Sequence, residues 1–182
     1  MKKLLIMAIG AILTVGANAA SVGWTLAGAN NFVGDAYYVF VNGQNGVVNT
    51  ATITALLNAG ESFDSYVFGS GTVAANGGAI TTAANSGKTL TADGSTSYTA
   101  FYVIFDSATP KVGESKYTVV SGASGLTQTP SATAASITFA AANQSTYLNN
   151  ASNWQTYAVP EPTSGLLMLL GMAGLALRRK RV

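Results

Sequence analysis

Two prolines, Pro160 and Pro162, stand two residues apart near the end of a chain of 182 residues. An uncharged run from Ser164 to Leu177 follows, and it stops at Arg178-Arg179-Lys180-Arg181 before a final Val182. No other feature restricts the fold as strongly. Proline fixes φ and lacks a backbone donor, so a pair this close neither continues a helix nor sits inside a sheet. What lies beyond Val159 is therefore set off from whatever folds before it. The run from 164 to 177 has 14 residues, against about 20 for a comfortable transmembrane helix. A short span forms if the bilayer thins or flanking side chains snorkel. Cations directly after such a span belong on the cytoplasmic side. The bland alternative is a buried C-terminal helix of a soluble domain. Four consecutive cations capping a helix that is apolar all round argue against it.

The amino end is also an address. Met1–Ala19 carries Lys2 and Lys3, an apolar run Leu4–Val15, and then Ala17-Asn18-Ala19. That is the basic, apolar and small-residue order of a secretory signal peptide. Cleavage is expected after Ala19, with Ala20 as the alternative, by signal peptidase after passage through the Sec export machinery. An uncleaved N-terminal anchor is disfavoured because the run is short and ends in small residues.

The tail resembles the PEP-CTERM sorting segment of Gram-negative bacterial surface and exopolysaccharide-associated proteins. The residues that carry the resemblance are Val159-Pro160-Glu161-Pro162, the apolar run with Gly171 and Gly174, and Arg178, Arg179, Lys180 and Arg181. It covers about 24 residues (159 to 182) and nothing upstream. It implies an inner-membrane-anchored precursor, held transiently through residues 164–177. An exosortase would act near the Pro-Glu-Pro, and the destination would be the cell surface or extracellular matrix, with exopolysaccharide as a further partner. The chain would then be the substrate rather than the enzyme.

Between the two addresses lies a passenger, residues 20–158. Its acids are Asp35, Glu61, Asp64, Asp93, Asp106 and Glu114, and its bases are Lys88, Lys111 and Lys116. Three minus six gives −3, although the whole precursor is +2. With no arginine and three scattered lysines there is no phosphate-binding stripe, so nucleic acid is not expected as a partner. The whole chain has no Cys and no His. A nucleophilic Ser or Thr therefore has no imidazole base, and a transition metal has no imidazole or thiolate ligand. Glu61 and Asp64 are the closest acidic pair, and they read as a solvated turn. Asp93-Gly94-Ser95 and Asn42–Gly46 offer oxygen ligands but read as ordinary turns. No catalytic residue, cofactor or metal is expected, and the chain is not expected to be an enzyme.

The passenger is expected to be mostly β: an antiparallel β-sandwich or barrel-like sheet of about seven or eight short strands and one short helix. The signal helix and a C-terminal hydrophobic helix flank it. Strands are expected at Ser21–Leu26, Asp35–Val41, Phe63–Phe68, Tyr98–Asp106, Lys116–Val120, Ala135–Ala141 and Asn153–Ala158. Phe101-Tyr102-Val103-Ile104-Phe105 is apolar on both faces, which predicts a strand covered on both sides. Thr52–Asn58 reads as a short helix, capped by Asn49 or Thr50 and closed by Gly60, although its threonines also suit a strand. Gly69–Ser97 and Ser121–Ala135 read as small-residue loops, with a weak strand near Val73 or Ile80. Trp24 and Trp154, in the first and last strands, suggest that those strands are neighbours.

These features point first to an exported structural or interaction protein of the cell surface or matrix. A carbohydrate-binding surface module is the alternative, with exposed Tyr or Trp stacking on sugar rings. Ice binding through flat Thr/Ala faces is a third reading, unsupported by any regular Thr spacing. The passenger loosely resembles the Ala/Ser/Thr/Gly-rich passengers carried by such tails in Verrucomicrobia-like bacteria, on Phe101–Asp106 and Asn153-Trp154. That resemblance implies no activity.

Overall fold

The computed structural model describes residues 18–26, 32–42, 48–73, 80–82, 88–123, 125–141, 148–159, 170 and 172. Among these residues the chain forms ten strands and one α-helix. The strands are β1 (Asn18–Leu26), β2 (Ala36–Val41), β3 (Gly69–Thr72), β4 (Ile80–Thr82), β5 (Thr89–Ala92), β6 (Tyr98–Phe105), β7 (Lys116–Val120), β8 (Thr127–Gln128), β9 (Ser136–Ala141) and β10 (Gln155–Thr156). The helix α1 spans Thr50–Ala59. Asn49 is its N-cap, accepting from the Thr52 N–H, and Gly60 closes it in the left-handed conformation.

Two sheets pack face to face. In the first, β1 is central, with β4 and β5 along one edge and β9 along the other. The second runs β10-β7-β6-β2-β3, with β8 paired to the start of β6. All pairings are antiparallel except β1 with β9, which is parallel. The sandwich core between the sheets holds Val22, Trp24 and Leu26 of β1, Phe139 of β9, and Tyr37, Val39, Tyr102 and Ile104 of β2 and β6.

The other face of the second sheet is covered as well. Phe40, Phe101, Val103, Phe105 and Tyr117 pack there against Ile53 and Leu57 of α1 and against Phe63. Residues alternate sides along a strand, so Tyr102 and Ile104 enter the first core while Phe101, Val103 and Phe105 enter the second. The doubly apolar run in β6 is thus the middle layer of a sheet–sheet–helix stack. Polar side chains also tie the two sheets together. Tyr102 Oη lies 3.1 Å from the Thr25 carbonyl and 3.0 Å from the Phe139 carbonyl, and Trp24 Nε1 donates to Tyr37 Oη at 3.2 Å.

Several expectations are corrected. Phe63–Phe68 is not a strand: Asp64–Tyr66 is a 3-10 turn, and Ser62 Oγ donates to the Asp64 carboxylate at 3.0 Å at its start. The strand begins later, at Gly69, inside the stretch expected to be loop. That stretch also supplies β5, and the loop Ser121–Ala135 supplies β8, while β4 at Ile80–Thr82 lies where a weak strand is expected. The last expected strand shrinks to Gln155–Thr156, because Ala151–Asn153 is a 3-10 turn. The first and last strands are not neighbours: β1 is central in one sheet, while β10 pairs with β7 at the edge of the other. Both indoles still reach the sandwich core, Trp154 only at its margin, where it stacks on Phe32 at 5.1 Å. The expected signal helix lies outside the described residues. So does nearly all of the C-terminal helix, of which Leu170 and Met172 are helical and exposed. No helix among the described residues is long and apolar enough to cross a membrane.

Candidate functional site at the tethered pole

The chain leaves the sandwich at one pole. The start of β2, the end of β6, the start of β7, the 106–115 loop and the C-terminal end of α1 converge there. Their links are the bonds Ala36 N–H to Ser107 C=O, Asp106 N–H to Lys116 C=O and Ala158 N–H to Leu57 C=O. Five of the six passenger acids lie here: Asp35, Glu61, Asp64, Asp106 and Glu114, against Lys111 and Lys116. Two minus five leaves the pole at −3. Lys111 and Glu114 pair at 3.4 Å, and both side chains are largely exposed, so the pair contributes at most about 1 kcal/mol.

Tyr157 is the centre of this pole. Its ring packs in the second core beside Phe105 at 5.5 Å and Phe63 at 6.4 Å. Its N–H donates to Ser115 C=O at 2.9 Å and its C=O accepts from Gly113 N–H at 2.6 Å. Before it, Gln155 and Thr156 pair with Tyr117 and Lys116. Tyr117 Oη lies 2.7 Å from Asn58 Oδ1 and 2.9 Å from Gln155 Oε1, so one phenolic hydrogen is shared between α1 and β10.

Beside Tyr157 a cleft of about 330 Å³ opens, lined by Tyr38, Gly60, Ser62, Phe63, Asp64, Pro110 and Tyr157. It brings two half-buried tyrosines to one carboxylate. Burial raises the phenol pKa of Tyr38, and the Asp64 charge raises it further. Burial does the same at Tyr157, helped by Asp64 and Tyr38. Both phenols are therefore neutral hydrogen-bonding groups at physiological pH.

Asp35 lies at the same pole. Burial raises its carboxyl pKa above 3.8, with the Asp106 charge adding to the shift. The fold thus disfavours ionised Asp35, and stability falls as pH rises through that raised value. Asp35→Asn is expected to raise the unfolding temperature slightly at pH 7. The gain should shrink as pH drops toward 3.8 and the native carboxyl takes up its proton. Thermal melts of both proteins across that range check it.

The sequence-predicted positions separate clearly. Ala17 lies outside the described residues, while Ala19 and Ala20 lie within β1, paired with Thr91 and Leu90. Ala20 is fully buried, so a cut after Ala19 keeps the first core residue and a cut after Ala20 removes it. Val159 is 59% exposed. Pro160, Glu161, Pro162, Arg178, Arg179, Lys180 and Arg181 lie outside the described residues. Glu61 and Asp64 belong to the pole. The Asp93 carboxylate is occupied by its own turn, accepting from Ser95 N–H, Thr96 N–H and Thr96 Oγ1 at 2.6 to 2.8 Å. Those bonds hold its pKa well below the usual range. Sequence reasoning missed Tyr157, which reads in the chain only as part of an expected strand Asn153–Ala158: Thr156 is exposed and Tyr157 packs inward.

The described β domain fastens its chain down to Ala158, directly before Val159-Pro160-Glu161-Pro162. Residues 158–181 match the PEP-CTERM protein-sorting motif, and that motif implies an exported, membrane-anchored precursor sorted by an exosortase. No curated protein and no solved structure matches the chain.

Proposed function

We propose that the mature domain is a structural or interaction protein of the cell surface or extracellular matrix, and that it is not an enzyme. The observation that carries this reading is the sorting motif at 158–181, which starts at Ala158, where the chain is still fastened to α1 through Leu57. The outward face of the first sheet supports the interaction role. Thr89 and Thr91 of β5, Ala19 of β1 and Ser136 and Thr138 of β9 are exposed there, and no charge interrupts them among the described residues. Such a face suits neutral, hydroxyl-bearing partners. Mass spectrometry of both termini of the protein recovered from the cell surface is expected to find Ala20 at the amino end and a carboxyl end upstream of Ser164. An intact precursor, soluble in the cytoplasm, would sink the proposal.

The cleft at Tyr38, Asp64 and Tyr157 favours a second reading, a saccharide-binding surface module. Two aromatic side chains and an exposed carboxylate in its lining provide apolar contact for a ring face and an acceptor for sugar hydroxyls. On a glycan array the mature protein is expected to retain a saccharide, and Asp64→Asn with Tyr38→Ala to lose it. An array with no signal from the native protein removes this reading and leaves the first standing.

A further inference from the structure

The domain grips its chain up to Ala158, the first residue of the motif. β10 pairs with β7, Tyr157 uses both its backbone groups on Ser115 and Gly113, and the Ala158 N–H donates to Leu57 C=O. Only Val159–Thr163, five residues, then separate Ala158 from the apolar run that starts at Ser164. Fully extended, five residues reach about 18 Å at most. A membrane-embedded processing enzyme therefore meets its target with a folded, acidic pole within about 18 Å of the bilayer. Enzymes that take an extended peptide bind it through its backbone donors and acceptors. On the amino side of the motif the backbone groups of Tyr157 and the N–H of Ala158 are already committed to the domain.

We infer that the strap Gln155–Ala158 is part of what the exosortase engages. It has to peel from β7 and from Leu57 before the residues around Pro160-Glu161-Pro162 can be seated, so local opening of this edge sets the rate of tail release. The inference rests on the processing reading above. The strap is built for such opening. It is a two-residue edge strand with exposed Gln155 and Thr156, and its one large anchor, the Tyr157 ring, is only half-buried. Segments with little buried area and short pairing open at a small fraction of the global unfolding free energy. Peeling it exposes Tyr117 but leaves the β2-β6-β7 pairing untouched.

A cross-link tests this in the full precursor, expressed in the exporting host. The Lys116 N–H and C=O both bond to Asp106 rather than to β10. Thr156↔Lys116 is therefore a non-hydrogen-bonded antiparallel pair, where Cα atoms sit about 4.5 Å apart, within reach of a disulfide. The chain has no cysteine to compete. With Thr156→Cys and Lys116→Cys joined, release of the tail in pulse-chase is expected to slow about tenfold or more, equivalent to roughly 1.4 kcal/mol on the opening step. Reductant is expected to restore it. Eight Gly/Ser residues inserted between Ala158 and Val159 are expected to speed release in the native protein and to cancel the effect of the lock. Release at the native rate from the cross-linked precursor, or from the inserted one, overturns the inference. A native precursor that never loses its tail overturns the processing reading instead.

Discussion

Tyr102→Ala is expected to lower the unfolding temperature of the mature protein by roughly 10 to 20 °C in calorimetry. Tyr102 is fully buried in the middle strand of the second sheet. Its ring fills the sandwich core, and its hydroxyl reaches the carbonyls of Thr25 in β1 and Phe139 in β9. It is thus a direct polar tie between the two sheets, made to two neighbouring strands at once. Truncating a buried aromatic costs about 3–5 kcal/mol, most of it lost burial plus an unfilled cavity. For a domain of this size each kcal/mol moves the midpoint by roughly 3–5 °C. Tyr102→Phe keeps the ring and removes only the donor, leaving two carbonyls to share nothing. That change is expected to cost about 1–2 kcal/mol, a shift of a few degrees. Ala and Phe variants melting together would show that the ring contributes nothing beyond its hydroxyl, and would refute the packing argument. Burial raises the phenol pKa strongly, so the tie persists through alkaline conditions that ionise ordinary tyrosines.

The middle layer was legible in the chain because its signal is local. A five-residue run with large apolar side chains on both faces has one stable location, between two covers, and β6 occupies it. The helix was legible for a similar reason: Asn49 and Gly60 are stop signs that act within a turn of themselves. The elements that were not legible owe their state to distant partners. Gly69-Ser70-Gly71-Thr72 has no strand propensity, yet it pairs residue by residue with Ala36–Val39. Phe63–Phe68 has the right alternation, but Phe63 is drawn beneath Tyr38, Phe40 and Phe105, and the chain turns to put it there. The parallel contact of β1 with β9 joins residues more than a hundred positions apart in sequence, Val22 with Ile137 for instance. No local pattern encodes it. At the pole, the sorting tail could be read directly from the chain, because an address works through composition and order. The strap that fastens Tyr157 could not, since its meaning comes from Ser115, Gly113 and Leu57.

Gly125→Ala is expected to cost about 2–4 kcal/mol, and Gly122→Ala only about 1–2 kcal/mol. Both glycines are left-handed, with φ of +87° and +68°, so a side chain strains either backbone by a similar amount. They differ in surroundings. A methyl at Gly122 meets nothing within 4 Å, whereas one at Gly125 runs into the backbone carbonyl of Ala140. That carbonyl cannot swing aside cheaply, because Gly125 C=O accepts from Ala140 N–H at 3.0 Å and the two segments are locked together. The next residue, Leu126, is buried in the sandwich core, and its C=O accepts from Ala100 N–H in β6 at 2.8 Å. A shift at Gly125 therefore propagates both to β9 in the first sheet and to β6 in the second. Chemical denaturation of the two variants separates strain from crowding. If Gly122→Ala costs as much as Gly125→Ala, the close approach to Ala140 carries no weight and left-handed strain alone explains both.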